Sequence, residues 1–133
     1  MQMSVDRIKE EAAAVVERYE TRVTALYLFG SRAANRQSAL SDIDLAILFA
    51  PGEPDAFLEL RFALYAAFSR ALATNRIDLT VLNTLDNLFI LDEIVRKGEL
   101  IFDGQTDLRR DFEQKALHRA LDFKQQRHRV MGI

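Results

Sequence analysis

Apolar residues along this chain recur with two different periods, and the changes of period mark out the elements. Over residues 4–20, Val5, Ile8, Ala12, Val15 and Val16 return at three- to four-residue steps, which predicts a helix with one buried stripe. Ser4 is placed to cap it, and Asp6 falls in its first turn, where the helix dipole favours an acid. Residues 23–29 form a short β-rich run ending at Gly30. Ser31 to Arg36 can make one helical turn, with Asn35 supplying a left-handed position to end it. Residues 42–49 read as a second strand, almost wholly apolar after Asp44. Such a run suits a strand covered on both faces, or by helices on one.

Ala50-Pro51-Gly52-Glu53-Pro54 is punctuation, and Pro54 fits the first turn of a helix over about 55–73. Phe57, Leu60, Leu64, Phe68 and Leu72 give that helix its stripe, while Leu58, Phe62 and Tyr65 widen the apolar arc. An arc this wide implies deep burial or a side that meets a partner. Residues 77–82 are a third strand, about 85–97 a helix stopping at Gly98, and Glu99 to Phe102 a short fourth strand. Thr106 is placed to cap a last helix from Asp107 to about Arg129. The main order, helix–strand–strand–helix–strand–helix–helix, predicts an α+β (α/β) domain with a small mixed β-sheet flanked by helices and a C-terminal helix. No repeat, linker or low-complexity segment interrupts it.

Composition narrows the chemistry. The 133 residues fit one domain, large enough to bury roughly two-thirds of the surface its unfolded chain exposes. A net charge of −2 argues against a dedicated non-specific nucleic-acid binder. With no cysteine, disulfides, thiolate catalysis and cysteine-bound zinc are excluded. The two histidines, His118 and His128, sit late in the chain, so any metal is expected to be held by oxygen and to be magnesium or manganese. The first residues carry Asp6, Glu10 and Glu11 without a long apolar run, unlike a signal peptide. No segment approaches ~18 consecutive apolar residues, so the chain reads as cytoplasmic and not membrane-spanning.

The residues that carry chemistry cluster at strand ends. Gly30-Ser31 ends the first strand, and Asp42-Ile43-Asp44 opens the second. Alternation along a strand puts Asp42 and Asp44 on one face, with Cα atoms roughly 6.5–7 Å apart. Two carboxylates so placed can share one divalent cation or two adjacent ones. The alternative is an ordinary Asp-rich strand entry. Against it, charge at the start of a buried strand is costly unless paired or metal-bound. Gly30 permits a positive φ or a close backbone approach, and a helical turn after Ser31 would aim free N–H groups at phosphate. Asp78 is the odd acid in the apolar run Ile77-Asp78-Leu79-Thr80-Val81-Leu82. Three acids together would repel unless cations neutralise them, which predicts a two-metal site with Asp78 as general base or as ligand of the metal nearest the nucleophile. A hydrogen-bonded Asp at the sheet rim is the plainer reading. Arg32 and Arg36 flank the turn and are candidates for neutralising triphosphate charge, or are simply solvated.

With these residues in place, the chain resembles the minimal nucleotidyltransferase (MNT) domains of the DNA polymerase β-like superfamily, whose signature is Gly-Ser, a spacer, Asp-x-Asp and a third Asp on a following strand. Gly30-Ser31, Asp42-Ile43-Asp44 and Asp78 match that signature. Leu26-Tyr27-Leu28-Phe29-Gly30-Ser31, Ile77-Asp78-Leu79 and Gly98-Glu99-Leu100-Ile101-Phe102 ahead of an Arg/Phe-rich helix make it look closer still to the MntA-type antitoxins of HEPN–MNT toxin–antitoxin pairs. The resemblance covers nearly the whole chain and implies a single nucleotidyltransferase domain over residues 1–133. It implies transfer of AMP from ATP to a tyrosine hydroxyl of a cognate HEPN ribonuclease, with Mg2+ as cofactor. The family commonly has an Arg-Gly pair where this chain has Ala34-Asn35, with Arg36 as the nearest replacement charge.

A chain this short suits a minimal catalytic core whose acceptor side is completed by a second chain. Two surfaces could receive it. One is the wide apolar helix with Leu58, Phe62 and Tyr65. The other is the last helix, with Leu108, Phe112, Ala116, Ala120 and Phe123 followed by Lys124, Arg127, His128 and Arg129. Both also have bland readings, as core and as a solvated helix end complementing the dipole. The Asp triad does not choose the acceptor, so a small-molecule or RNA nucleotidyltransferase and a non-catalytic antitoxin acting by occlusion are the competing functions.

Overall fold

Four helices and four strands are described by the computed structural model, over residues 3–30 and 42–131. In chain order they are α1 (Val5–Glu17), β1 (Val23–Phe29), β2 (Ile43–Phe49), α2 (Pro54–Ala71), β3 (Ile77–Val81), α3 (Leu88–Lys97), β4 (Glu99–Asp103) and α4 (Thr106–Met131). The expected helical turn over Ser31–Arg36 lies outside the described residues. Among the described residues no helix is long and apolar enough to cross a membrane.

The sheet order is β3-β2-β1-β4, so β1 and β2 are the inner strands. β1 runs antiparallel to both its neighbours, whereas β2 and β3 are parallel and joined through α2. A parallel pair needs a long crossover, and α2 supplies it. The position of β2 explains its unbroken apolar run: it is covered on both faces. Ile43, Leu45 and Ile47 pack with Ile8, Val15 and Val16 of α1 and with Leu64 and Phe68 of α2. Ala46 and Leu48 face the other way, among Leu91 and Ile94 of α3 and Ala116 of α4. The result is a sheet between two helical layers, each with its own core.

Local chemistry sets the element ends. The Ser4 hydroxyl accepts from the Arg7 amide at the start of α1, and the Asn87 carboxamide caps α3 by accepting from Phe89 and Ile90. That cap places the start of α3 at Leu88; the preceding residues Leu82–Thr84 form a 3-10 turn, which shortens the expected helix. Pro54 takes the first helical position of α2, as its fixed φ favours. Thr106 does not cap α4: it is the helix's first residue, and its hydroxyl donates to Asp103 at 3.0 Å. Gly98 ends α3 without a left-handed turn, at φ −65°; a Cβ there would collide with the Ile94 carbonyl.

Two of the polar contacts tie α4 down. The Tyr27 hydroxyl, in the core beneath the helix, donates to Glu113 at 2.7 Å, and Arg109 bridges Glu113 and Asp103 at 2.8 and 3.1 Å. Burial and the adjacent Glu113 carboxylate push the Tyr27 phenol well above its ordinary range, so it stays a neutral donor. Further along, Asp92 of α3 binds both Arg96 and Lys124, Phe89 meets Phe123 edge to face, and Arg127 lies over the Phe89 ring. Two residues of the expected basic helix end, Lys124 and Arg127, are therefore engaged within the chain. On α2 Leu58 and Phe62 of the wide apolar arc are left outside, 53% and 62% exposed, whereas Tyr65 packs against the core and its hydroxyl donates to the Asn75 carbonyl at 2.9 Å.

Tyr27→Phe is expected to lower stability by about 1.5 kcal/mol, the worth of a buried hydrogen bond to a charged group. Phe62→Ser, on the open side of α2, is expected to change it by no more than about 0.5 kcal/mol. Urea denaturation of both variants checks the contrast.

Candidate active site

The parallel pairing of β2 with β3 brings the acids together. Ile43 is opposite Ile77 and Asp44 is opposite Asp78, so these two carboxylates stand side by side on one face of adjacent strands. Asp42 comes just ahead of β2, whose entry is fixed by the Ile43 amide donating to the Arg76 carbonyl at 2.9 Å. From the other side, β1 sets Phe29 opposite Asp44 and delivers Gly30 against it.

Gly30 is required here on two counts. Its φ is +74°, a conformation costly for any residue with a Cβ. A Cβ at this position would also collide with the Asp44 carboxylate. The glycine expected from the sequence at the strand end thus gives Asp44 the space its side chain occupies.

Asp44 is half-buried, and its carboxyl is pushed up to about 6. The causes are burial first, then the negative charge of Asp78, then that of Asp42. The mutual repulsion expected of the three acids is therefore present. Asp42 and Asp78 are exposed, so the cluster opens to solvent at the sheet's end.

The sequence reading missed Arg76. Its Nε is 3.4 Å from Asp42 Oδ1, both side chains being about half-exposed. The sequence held only part of the signal: Arg76 lies two residues before Asp78, but its approach to Asp42 depends on Ile77 pairing with Ile43. It brings one positive charge to the cluster at its outer edge.

The donors suit a hard divalent cation, being carboxylate oxygens of which the innermost has its proton affinity raised by burial and then by its acidic neighbours. As they stand, no three acidic, imidazole or thiolate groups among the described residues are gathered tightly enough to hold an ion, and Asp42 is turned towards Arg76. Of the expected site residues, the structure brings Gly30, Asp42, Asp44 and Asp78 to one end of the sheet. Ser31, Arg32 and Arg36, with Ala34-Asn35, lie outside the described residues.

A parallel β2–α2–β3 unit whose strands present acids at one end, beside a strand ending in glycine, defines a nucleotidyltransferase fold. The chain matches the polymerase beta nucleotidyltransferase family over residues 10–107, and it belongs to that family. Among solved structures it is similar to a toxin–antitoxin crystallised with AMP-PNP, at TM-score 0.74 and 22% identity over 93% of this chain and 95% of that one. It is similar also to the complex of a tri-AMPylated Shewanella oneidensis HEPN toxin with its MNT antitoxin, at TM-score 0.70 and 19% identity over 96% of each chain. The MntA–HepT toxin–antitoxin gives TM-score 0.67 at 19% identity, over 94% of each. At these identities the likeness is one of fold. No curated protein sequence matches the chain.

Two outcomes are expected at this site. Because Asp44 binds its proton more tightly folded, at about 6, than unfolded, at 3.8, its charge weakens the protein as pH rises through 6. Asp44→Asn should therefore be more stable than the parent at pH 8 by on the order of 1 kcal/mol, after discounting for solvent access, and the gap should vanish below about pH 4. Thermal melts of both proteins across pH, without divalent ions, measure it. Second, Gly30→Ala should cost about 1–2 kcal/mol from backbone strain, plus the displacement of Asp44. In an Asp44→Ala background only the backbone part should persist, so a double-mutant cycle should show coupling between the two positions.

Proposed function

We propose that this chain is a Mg2+-dependent adenylyltransferase antitoxin that moves AMP from ATP to a tyrosine hydroxyl of a HEPN ribonuclease partner and so silences it. The observation that carries the reading is the register pairing of Asp44 with Asp78 against Gly30, in a chain of the polymerase beta nucleotidyltransferase family. The similar folds with AMP-PNP and with an AMPylated HEPN toxin favour ATP as donor and a protein as acceptor.

In this reading Asp42 and Asp44 would hold Mg2+ with Asp78, two ions in all. When bound, the ions lower the pKa of the attacking hydroxyl and offset charge on the triphosphate. Asp78 is the most open of the strand-borne pair and accepts the proton as the acceptor oxygen bonds to the α-phosphorus. The bond from that phosphorus to the bridging oxygen breaks, and pyrophosphate leaves in line. Gly30 keeps the backbone clear of Asp44, and Ser31, Arg32 and Arg36 are the residues this reading assigns to the phosphates. Since the protein forms no covalent bond to the substrate, its contribution is placement and electrostatics.

The test is the partner's intact mass after incubation with ATP, Mg2+ and the full chain. Addition of AMP-sized increments, lost with Asp44→Asn, is the expected result. A stable complex with unchanged mass, and neutralisation that survives Asp44→Asn, would replace this reading with occlusion. No complex at all would point to another acceptor.

A further inference from the structure

At the end of the sheet away from the carboxylates lies a cleft of about 330 Å3 between β1, β2 and α4. Its floor is Thr24, Leu48 and Phe49, and its wall is one stripe of α4 that includes Phe112, Ala116 and Arg119. The size is at the lower end of small-molecule sites. Leu48 is four residues along β2 from Asp44, roughly 13 Å, so an occupant would not overlap the carboxylate cluster.

A β-bulge builds the floor. The pairing of β1 with β2 shifts between Val23 and Ala25, so Thr24 has no opposite residue. Its carbonyl is occupied by the Gly104 and Gln105 amides, but its hydroxyl is buried without a partner among the described residues. Buried hydroxyls are rarely left so. Asn83, the other polar residue of the floor, is fully used: its carboxamide accepts from the Phe49 amide at 2.8 Å and donates to the Phe49 carbonyl at 3.0 Å.

The rim carries two cations and one acid. The acid, Asp111, is already paired with Lys115 at 2.9 Å. Arg119 is exposed and forms no ion pair among the described residues. The cleft therefore offers an apolar slot between Leu48 and Phe112, a buried hydroxyl without a partner beneath its floor, and an uncommitted guanidinium at its mouth.

From this geometry we infer that the cleft is a second ligand site, taking a small apolar carboxylic acid with its apolar body against Leu48 and Phe112 and its carboxylate on Arg119. A bounded concavity of this volume fits such a molecule better than a protein surface, which needs a broad interface. The site stands independently of the proposed adenylyl transfer.

The test is a titration of the full, 15N-labelled chain with phenylacetate, and with phenylacetamide as its neutral counterpart, followed by amide chemical shifts. The expected result is saturable shifts confined to the neighbourhood of Thr24, Leu48, Asn83 and Ala116, with the amide about tenfold weaker for want of the charged contact. Arg119→Ala should reduce the preference for the acid, Thr24→Val should weaken binding without loss of stability, and Ala116→Leu should fill the slot and abolish it. Asp44→Asn should leave it unchanged. No saturable shift, equal binding of acid and amide, or shifts that survive Ala116→Leu in a folded protein would overturn the proposal. So would protection of these amides by a protein partner when phenylacetate has no effect, which would make the cleft a docking pocket.

Discussion

Everything at the candidate active site depends on one register: β2 lies parallel to β3 with Asp44 opposite Asp78. A one-residue slip would turn Asp44 into the core and Leu45 out of it, because side chains alternate across the sheet. The register is held by apolar residues on both faces of β2, with Ile43, Leu45 and Ile47 on one and Ala46 and Leu48 on the other. The packing that makes β2 a good central strand is thus also what forces two like charges into contact. The energy of that contact is visible in the carboxyl of Asp44, raised to about 6 by burial and by its acidic neighbours.

Such a site is tolerable because it sits at the strand ends. Asp42 and Asp78 reach solvent, and Arg76 contributes a cation beside Asp42. Only Asp44 is drawn part-way in, and there the chain removes a side chain altogether, at Gly30. The repulsion is a local cost that the two cores carry, consistent with functional sites being less stable than the frame that holds them.

Much of this was legible in the sequence, and the reasons differ by element. β1 was readable over Val23–Phe29 because an apolar run between turn residues has few other outcomes, and the strand-end role of Gly30 followed from its place there. The spacing of Asp42 and Asp44 pointed to a shared strand end, though Asp42 falls just ahead of β2, and the apolar setting of Asp78 marked it as unusual. The parallel register joining Asp44 to Asp78 was not readable, since strand partners are chosen by tertiary packing. Arg76 escaped for the same reason: only the pairing of β2 with β3 gives it Asp42 as a neighbour. The start of α3 falls later than expected because the Asn87 cap sets it at Leu88, after a separate 3-10 turn at Leu82–Thr84. Thr106 was read as a cap on residue type alone, whereas it is already the first helical residue, and its hydroxyl donates to Asp103.

The helical layers divide the labour that the sheet leaves undone. α1 and α2 close one face and leave Leu58 and Phe62 open on the outer side of α2. On the other face α4 is fastened at two places, through Glu113 to Tyr27 and through Lys124 and Phe123 to α3. Between those anchors Ala116 and Ala120 of this 26-residue helix are buried, and the cleft opens beside the stretch from Leu108 to Arg119. The bulge at Thr24 lies at the strand end, where a regular ladder would have turned that residue to the opposite face. The cleft lies between that stretch of the helix and the bulged end of the strand. Its position, remote from the carboxylates but floored by the same β2, means that the strand which fixes the register of the acids also forms part of this cleft.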